Sequence, residues 1–204
     1  MNYKTEQEKF WSGEFGNEYI ERNQGEASIA SNIALFSKIL KSTNSISSAI
    51  EFGANIGLNL QAIKHLLPEV QLSAIEINKK AVTQLKEIEN IKVFHSSILD
   101  FQLDEERDLV LIKGVLIHIN PSELKSVYEL LYKTSKKYIC IAEYYNPSPV
   151  EVKYRGHEGK LFKRDFAGEI MEQFSDLKLI DYGFVYHRDN NFPQDDTTWF
   201  LLEK

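Results

Sequence analysis

The segment Glu51-Phe-Gly-Ala-Asn-Ile-Gly57 constrains this chain more than any other, because it joins the apolar strand-like run Ser48–Phe52 to a helical run through two glycines. Gly53 lets the backbone turn sharply and approach a ligand. Gly57 opens a helix beginning Leu58-Asn-Leu-Gln, whose unpaired N–H groups face the loop. Glu76 ends the next strand, Gln71–Ile75, where a carboxylate can hold both hydroxyls of a ribose. The spacing acid-x-Gly-x-x-x-Gly differs from the Gly-x-Gly-x-x-Gly of a dinucleotide loop. These residues point to a nucleoside cofactor.

The surrounding pattern places that loop in a parallel sheet. Apolar residues recur at helical spacing from Glu26 to Leu40, and strands then alternate with helices. The strand Ser48–Phe52 is followed by a helix at about Leu58–Leu66, the strand ending at Glu76, a helix from about Lys79, and a short strand Ile91–His95. After a strand at Leu109–Ile112, Asn120-Pro-Ser-Glu123 gives a cap, a first-turn proline and an acid three residues past the cap, opening a helix to about Tyr132. An apolar strand at Tyr138–Ala142 completes the core, since such alternation implies right-handed crossovers with both sheet faces covered. Asn146-Pro-Ser-Pro149 breaks regular structure, and a long loop is expected before a helix carrying Phe166, Ile170 and Phe174. Leu177–His187 and Thr198–Leu202 flank the polar loop Arg188–Asp196 and read as an antiparallel pair. The expected fold is α/β and Rossmann-like: a seven-stranded, mainly parallel sheet with one antiparallel strand and helices on both faces. Residues 1–204 are expected to form a single domain, with 1–25 an arm over the active site.

Charge and cysteine usage narrow the chemistry. A net charge of −6 leaves no strong basic footprint for nucleic acid, so the partner is expected to be small. The lone Cys140 sits in an apolar run and reads as core packing in a reducing compartment. No apolar run is long enough to span a bilayer, and the polar first residues read as a cytoplasmic protein without a membrane association. His, Cys, Asp and Glu show no clear metal-ligand spacing, and no metal is expected. Oligomeric state is left open.

The acid-x-Gly-x-x-x-Gly loop with Glu76 resembles the S-adenosylmethionine site of class I methyltransferases. The resemblance implies a cofactor set of Glu51, Gly53, Ala54, Asn55, Gly57, Glu76 and Ile77. Asn55 stands where the family usually has a glycine. Asn tolerates positive φ better than other non-glycine residues, and its amide can hydrogen-bond the methionine portion. Ser96-Ser-Ile-Leu-Asp100 resembles the adenine-contact segment, with Ser97 in the place usually held by an acid and Ile98 packed on the ring; Asp100 is the other candidate. Lys113, Gly114 and Val115 would bring backbone groups to the methionine end.

The ligand crevice of an open α/β sheet lies beyond the carboxyl ends of its strands. His118 occupies a position that in similar small-molecule methyltransferases lies near the sulfonium, where neutral imidazole takes a proton from an amine or hydroxyl; a structural histidine is the alternative. Glu143 joins it as a catalytic candidate, and His157 is next in line. Tyr144, Tyr145 and Asn146 can orient a polyhydroxyl or cationic acceptor, or else pack at the rim. Arg155 and Arg164, in a locally basic stretch, suit phosphate or carboxylate unless the stretch is a solvated loop. Gly13 and Gly16 interrupt an aromatic N-terminal segment, from which Trp11, Tyr19, Arg22 and Asn23 are expected to close over donor and acceptor.

Phe10-Trp-Ser-Gly-Glu-Phe-Gly16, the glycine loop, Glu143-Tyr-Tyr-Asn-Pro147, Tyr154-Arg-Gly-His157 and Lys163-Arg-Asp-Phe166 together resemble the pseudaminic acid biosynthesis-associated methyltransferases. This implies methylation of N or O on a small anionic sugar, a nonulosonic acid such as pseudaminic or legionaminic acid or a nucleotide-sugar precursor, for bacterial surface glycans. A nicotinamide-dependent sugar oxidoreductase and a non-catalytic nucleoside-binding relative are the alternatives.

Overall fold

The structure is a computed structural model that describes residues 2–23 and 25–204; Met1 and Gln24 of the expected arm lie outside the described residues. Two short helices, α1 (Glu6–Ser12) and α2 (Glu14–Arg22), precede α3 (Glu26–Leu40). Strands and helices then alternate: β1 (Ser48–Phe52), α4 (Leu58–Leu66), β2 (Gln71–Glu76), α5 (Lys79–Leu85), β3 (Ile91–His95), β4 (Arg107–Lys113), α6 (Leu124–Thr134) and β5 (Ser135–Glu143). A hairpin of β6 (Val150–Tyr154) and β7 (His157–Lys163) follows, and then α7 (Phe166–Gln173), β8 (Lys178–Val185) and β9 (Thr197–Glu203).

The main sheet has seven strands in the order β3-β2-β1-β4-β5-β9-β8. β9 runs antiparallel to both β5 and β8, and the remaining pairings are parallel. The expected Rossmann-like architecture, with one reversed strand, is the one observed. Successive residues of a strand face opposite sides. Ile50 and Phe52 therefore pack with Ile139 and Ile141 against Val127 and Leu131 of α6, whereas Ala49 packs with Leu109 and Cys140 against Leu35 of α3 and Ile63 of α4. Both faces are thus covered, which explains why the central strands read as nearly continuous apolar runs.

Three expectations are corrected. Gly13 does end α1, but Gly16 lies inside α2; a Cβ there would stand 1.9 Å from the Trp11 carbonyl oxygen, so glycine permits close packing of the two helices rather than a break. The long loop after Pro149 is largely the β6–β7 hairpin, whose turn carries Arg155 at φ +46°. Asn120 caps a single 3-10 turn, Pro121–Glu123, by accepting from Ser122 N at 3.1 Å, and α6 proper begins only at Leu124.

Candidate active site

The loop after β1 turns back toward β2: the N–H groups of Gly53 and Ala54 both donate to the Ile75 carbonyl, at 2.9 and 3.1 Å. Gly53 (φ +76°), Asn55 (φ +48°) and Gly57 (φ +81°) all take left-handed backbone. At Gly53 this conformation coincides with close approach, since a Cβ would lie 2.7 Å from Val115 Cγ2. The Glu76 carboxylate faces the same loop. Its Oε2 accepts from Asn55 N at 2.7 Å and its Oε1 from Asn78 N at 2.6 Å. Burial pushes the pKa of Glu76 up, and the N–H groups of Asn78, Asn55 and Ile77 oppose that rise by favouring the anion.

A cavity of about 520 Å³ opens above the carboxyl ends of β1, β2 and β4, within the size range of small-molecule sites. Glycine-loop residues Gly53, Ala54 and Asn55 line it beside Glu76 and Ile77. Ser97 and Ile98 follow from the end of β3, and Lys113, Gly114 and Val115 from the end of β4. The arm contributes Trp11, Tyr19 and Asn23. His118 and Tyr144 complete the set of sequence-predicted residues that the fold brings to one cavity.

His118 is buried, and its Nδ1 lies 2.5 Å from the Lys160 carbonyl on β7. A carbonyl only accepts, so Nδ1 carries the proton and Nε2 keeps its lone pair. Burial pushes the pKa of His118 down to about 4, leaving the ring neutral. Trp11 and Tyr154 flank it, with ring centroids at 4.6 and 4.9 Å. Lys113 is the only lysine or arginine lining the cavity among the described residues; burial lowers its pKa, while Glu51, Asp195 and Glu143 act in the opposite sense.

Other expected site residues stand elsewhere. Glu51 and Gly57 lie behind the cavity wall. Glu51 accepts from Asn59 Nδ2 at 2.6 Å and burial pushes its pKa up to about 8, while Gly57 packs against Leu85 and Ile88. Glu143 is buried beneath the turn after β4, outside the cavity lining, where Oε1 accepts from Val115 N (2.9 Å) and Leu116 N (2.8 Å) and so shapes the turn. Tyr145 is exposed, with its ring 6.0 Å from that of Phe200, and stands outside the cavity lining. Asn146 donates to the Ser148 carbonyl.

The basic and histidine candidates are corrected in the same way. Arg155 is exposed at the hairpin turn, 5.9 Å over the Tyr154 ring, and Arg164 pairs with Glu169 at 3.3 Å. Arg22 pairs with Glu18 on the outside of α2. His157 sits at the hairpin end against Phe10, 5.0 Å away, outside the cavity wall. Asp100 pairs with Lys4 at 2.7 Å, also outside it.

The fold adds lining residues that sequence reasoning missed: Asn59, Asn32, Glu8, Tyr154 and Asp195. Asn59 was within reach, since it lies in the first turn of the helix that opens on the glycine loop. The others come from segments whose approach depends on tertiary packing.

No protein-family model and no curated protein sequence matches the chain. Solved structures do match it in shape. A S-adenosylmethionine-dependent methyltransferase of Leishmania major superposes with a TM-score of 0.72 at 15% identity, over 98% of this chain and 87% of that one. The 1,6-didemethyltoxoflavin-N1-methyltransferase of Burkholderia thailandensis, solved with its substrate and S-adenosylhomocysteine, gives 0.70 at 11% identity over 97% and 86%. Magnesium protoporphyrin IX methyltransferase from Synechocystis, solved with bound S-adenosylmethionine, gives 0.67 at 10% identity over the full length of both chains. The chain has the fold of the class I methyltransferases.

Proposed function

We propose that this protein transfers the methyl group of S-adenosylmethionine to an N or O atom of a small acceptor. The observation that carries the reading is Glu76: a carboxylate at the end of β2, oriented by Asn55 N and Asn78 N, beside a glycine loop that any larger side chain would block. Such a carboxylate suits the two hydroxyls of a ribose. Beside it, Asn55 Oδ1 and Asn59 Oδ1 are buried acceptors at the cavity without a partner among the described residues. Buried acceptors of this kind call for donors, and the ammonium of an amino-acid tail supplies them. The residues present therefore fit the cofactor.

Bound S-adenosylmethionine supplies an electrophilic sulfonium methyl, so the protein has mainly to align the acceptor and handle one proton. We assign the second task to His118; its support is that Nε2 is unprotonated and the tautomer is held by the Lys160 carbonyl. α1 and α2 cover the cavity and limit water. The finer reading, a nonulosonic acid or nucleotide-sugar acceptor modified in the cytoplasm, rests on the N-terminal, strand-end and hairpin sequences that carry the family resemblance. With Arg155 and Arg164 outside the cavity, an acceptor carboxylate would be met by Lys113.

Isothermal titration with S-adenosylhomocysteine and with NAD tests the cofactor. We expect S-adenosylhomocysteine to bind and NAD not to, and Glu76→Ala to weaken binding at least tenfold, the loss of about one charge-assisted hydrogen bond. Preference for NAD, or full affinity in a folded Glu76→Ala variant, would overturn the reading. Methyl transfer to a panel of free nonulosonic acids, nucleotide sugars and neutral analogues tests the acceptor.

A further inference from the structure

The cavity beyond Glu76 has a largely apolar wall: Ile77 follows β2, Ile98 and Leu99 follow β3, and Ile119 closes from the β4 side. A purine laid there must still satisfy its 6-substituent, because a buried polar group left unpaired is costly. The segment after β3 offers no carboxylate for the purpose. Ser97 Oγ accepts from Leu99 N at 3.1 Å, and Asp100 is drawn outward by Lys4.

The carboxylate that lines this part of the cavity comes from the arm. Glu8 of α1 is only 8% exposed. Its Oε2 is used within the arm, accepting from Lys4 N at 2.6 Å and Thr5 N at 2.7 Å. Its Oε1 is buried and has no partner among the described residues. Lys4 fixes this turn beside the β3 loop, with Nζ donating to the Leu99 carbonyl at 2.8 Å. Capping α1 accounts for one oxygen of Glu8 and leaves the other an acceptor enclosed at a ligand cavity.

We propose that Glu8 reads the purine of the bound nucleoside: Oε1 accepts a hydrogen bond from an exocyclic 6-amino group, which makes the site selective for adenosyl over 6-oxo purine ligands. The proposal rests on the reading that the cavity holds an adenosyl cofactor. A 6-oxo group would turn lone pairs toward the carboxylate, and a site built to pair with an N–H rejects the analogue lacking it.

Titration calorimetry with two probes tests this: S-adenosylhomocysteine and S-inosylhomocysteine, which differ only in the 6-substituent and the adjacent ring proton. The wild-type chain should favour the adenosyl probe by about tenfold or more, the size of one charged hydrogen bond. Glu8→Ala should lose most of that preference, with the adenosyl probe weakened and the inosyl probe little changed. Glu8→Gln, whose amide can accept from one probe or donate to the other, should bring the ratio toward unity while keeping an acceptor for the α1 cap. A purely structural Glu8 would lower both affinities together and leave their ratio unchanged, which would overturn the proposal alone. Absence of adenosyl binding to the wild type would overturn it together with the cofactor reading.

Discussion

Gly53 and Asn55 show how narrowly a ligand loop can be specified. Both take positive φ, and at Gly53 an added Cβ would also meet Val115, 2.7 Å away. Gly53→Val should therefore strain the turn and push into the cavity floor, whereas Asn55→Gly relieves strain and leaves the floor untouched. Titration with S-adenosylhomocysteine should show a loss of at least tenfold for the first variant and a small change for the second; the reverse order would contradict this account of the loop. The positive φ at Asn55 was legible, because Asn is the usual non-glycine occupant of that region. The burial of Glu51 and Glu143 was not. Glu143 ends β5 and Glu51 stands one residue before the end of β1, and only the Asn59 amide and the Val115–Leu116 turn reveal that they face inward.

At the scale of elements, the strands of the parallel core could be read to within about three residues, since burial on both faces leaves long apolar runs between helical periods. The arm and the β6–β7 hairpin were harder. Val150, Val152 and Tyr154 alternate with Glu151 and Lys153, a strand pattern masked by the preceding Pro-Ser-Pro break and by the polarity of the turn. A two-stranded hairpin is marginal by itself and gains stability from what it packs on, here His118 and the aromatic arm. Arg155 and Arg164 stand away from the cavity for this reason: the hairpin delivers Tyr154 and the Lys160 carbonyl inward, Arg155 sits exposed at its turn, and Arg164, just past β7, is spent on Glu169. The arm depends on Gly16 in turn. Gly16→Ala would set a methyl group 1.9 Å from the Trp11 carbonyl oxygen and 2.9 Å from Asn78 Nδ2. The variant should keep the sheet but lose arm packing, by about 1–3 kcal/mol for an overpacked contact. Amide hydrogen exchange should then speed up in residues 6–22 while the core strands stay protected.

At the scale of the whole molecule, the sheet buries carboxylates that an unfolded chain would leave in water. Burial raises Glu51 from 4.5 to about 8 and Glu143 from 4.5 to about 7. The folded state thus binds these protons more tightly than the unfolded state, and the stability linked to them is complete below about pH 4.5 and lost as pH rises through the folded values. His118 acts in the opposite sense, lowered from 6.5 to about 4, so its contribution is lost as pH falls through that interval. Comparing Glu143→Gln with the parent isolates one of these groups. Its melting temperature should fall less steeply between pH 5 and 8, the difference amounting to about 2–4 °C for each kcal/mol relieved in a chain of this size. Parallel melting curves across that range would show that Glu143 does not titrate with folding. The arm over the cavity bears on a different quantity, residence time. It is pinned at its two sides by the ion pairs Lys4–Asp100 (2.7 Å) and Lys160–Glu6 (3.2 Å), each with an exposed partner and therefore weakened by salt. On the proposed cofactor reading, a bound nucleoside leaves only once that clasp loosens. Stopped-flow dissociation of S-adenosylhomocysteine should therefore quicken as ionic strength rises even where the melting temperature hardly moves, as expected if two surface ion pairs at the edge of the fold time its release.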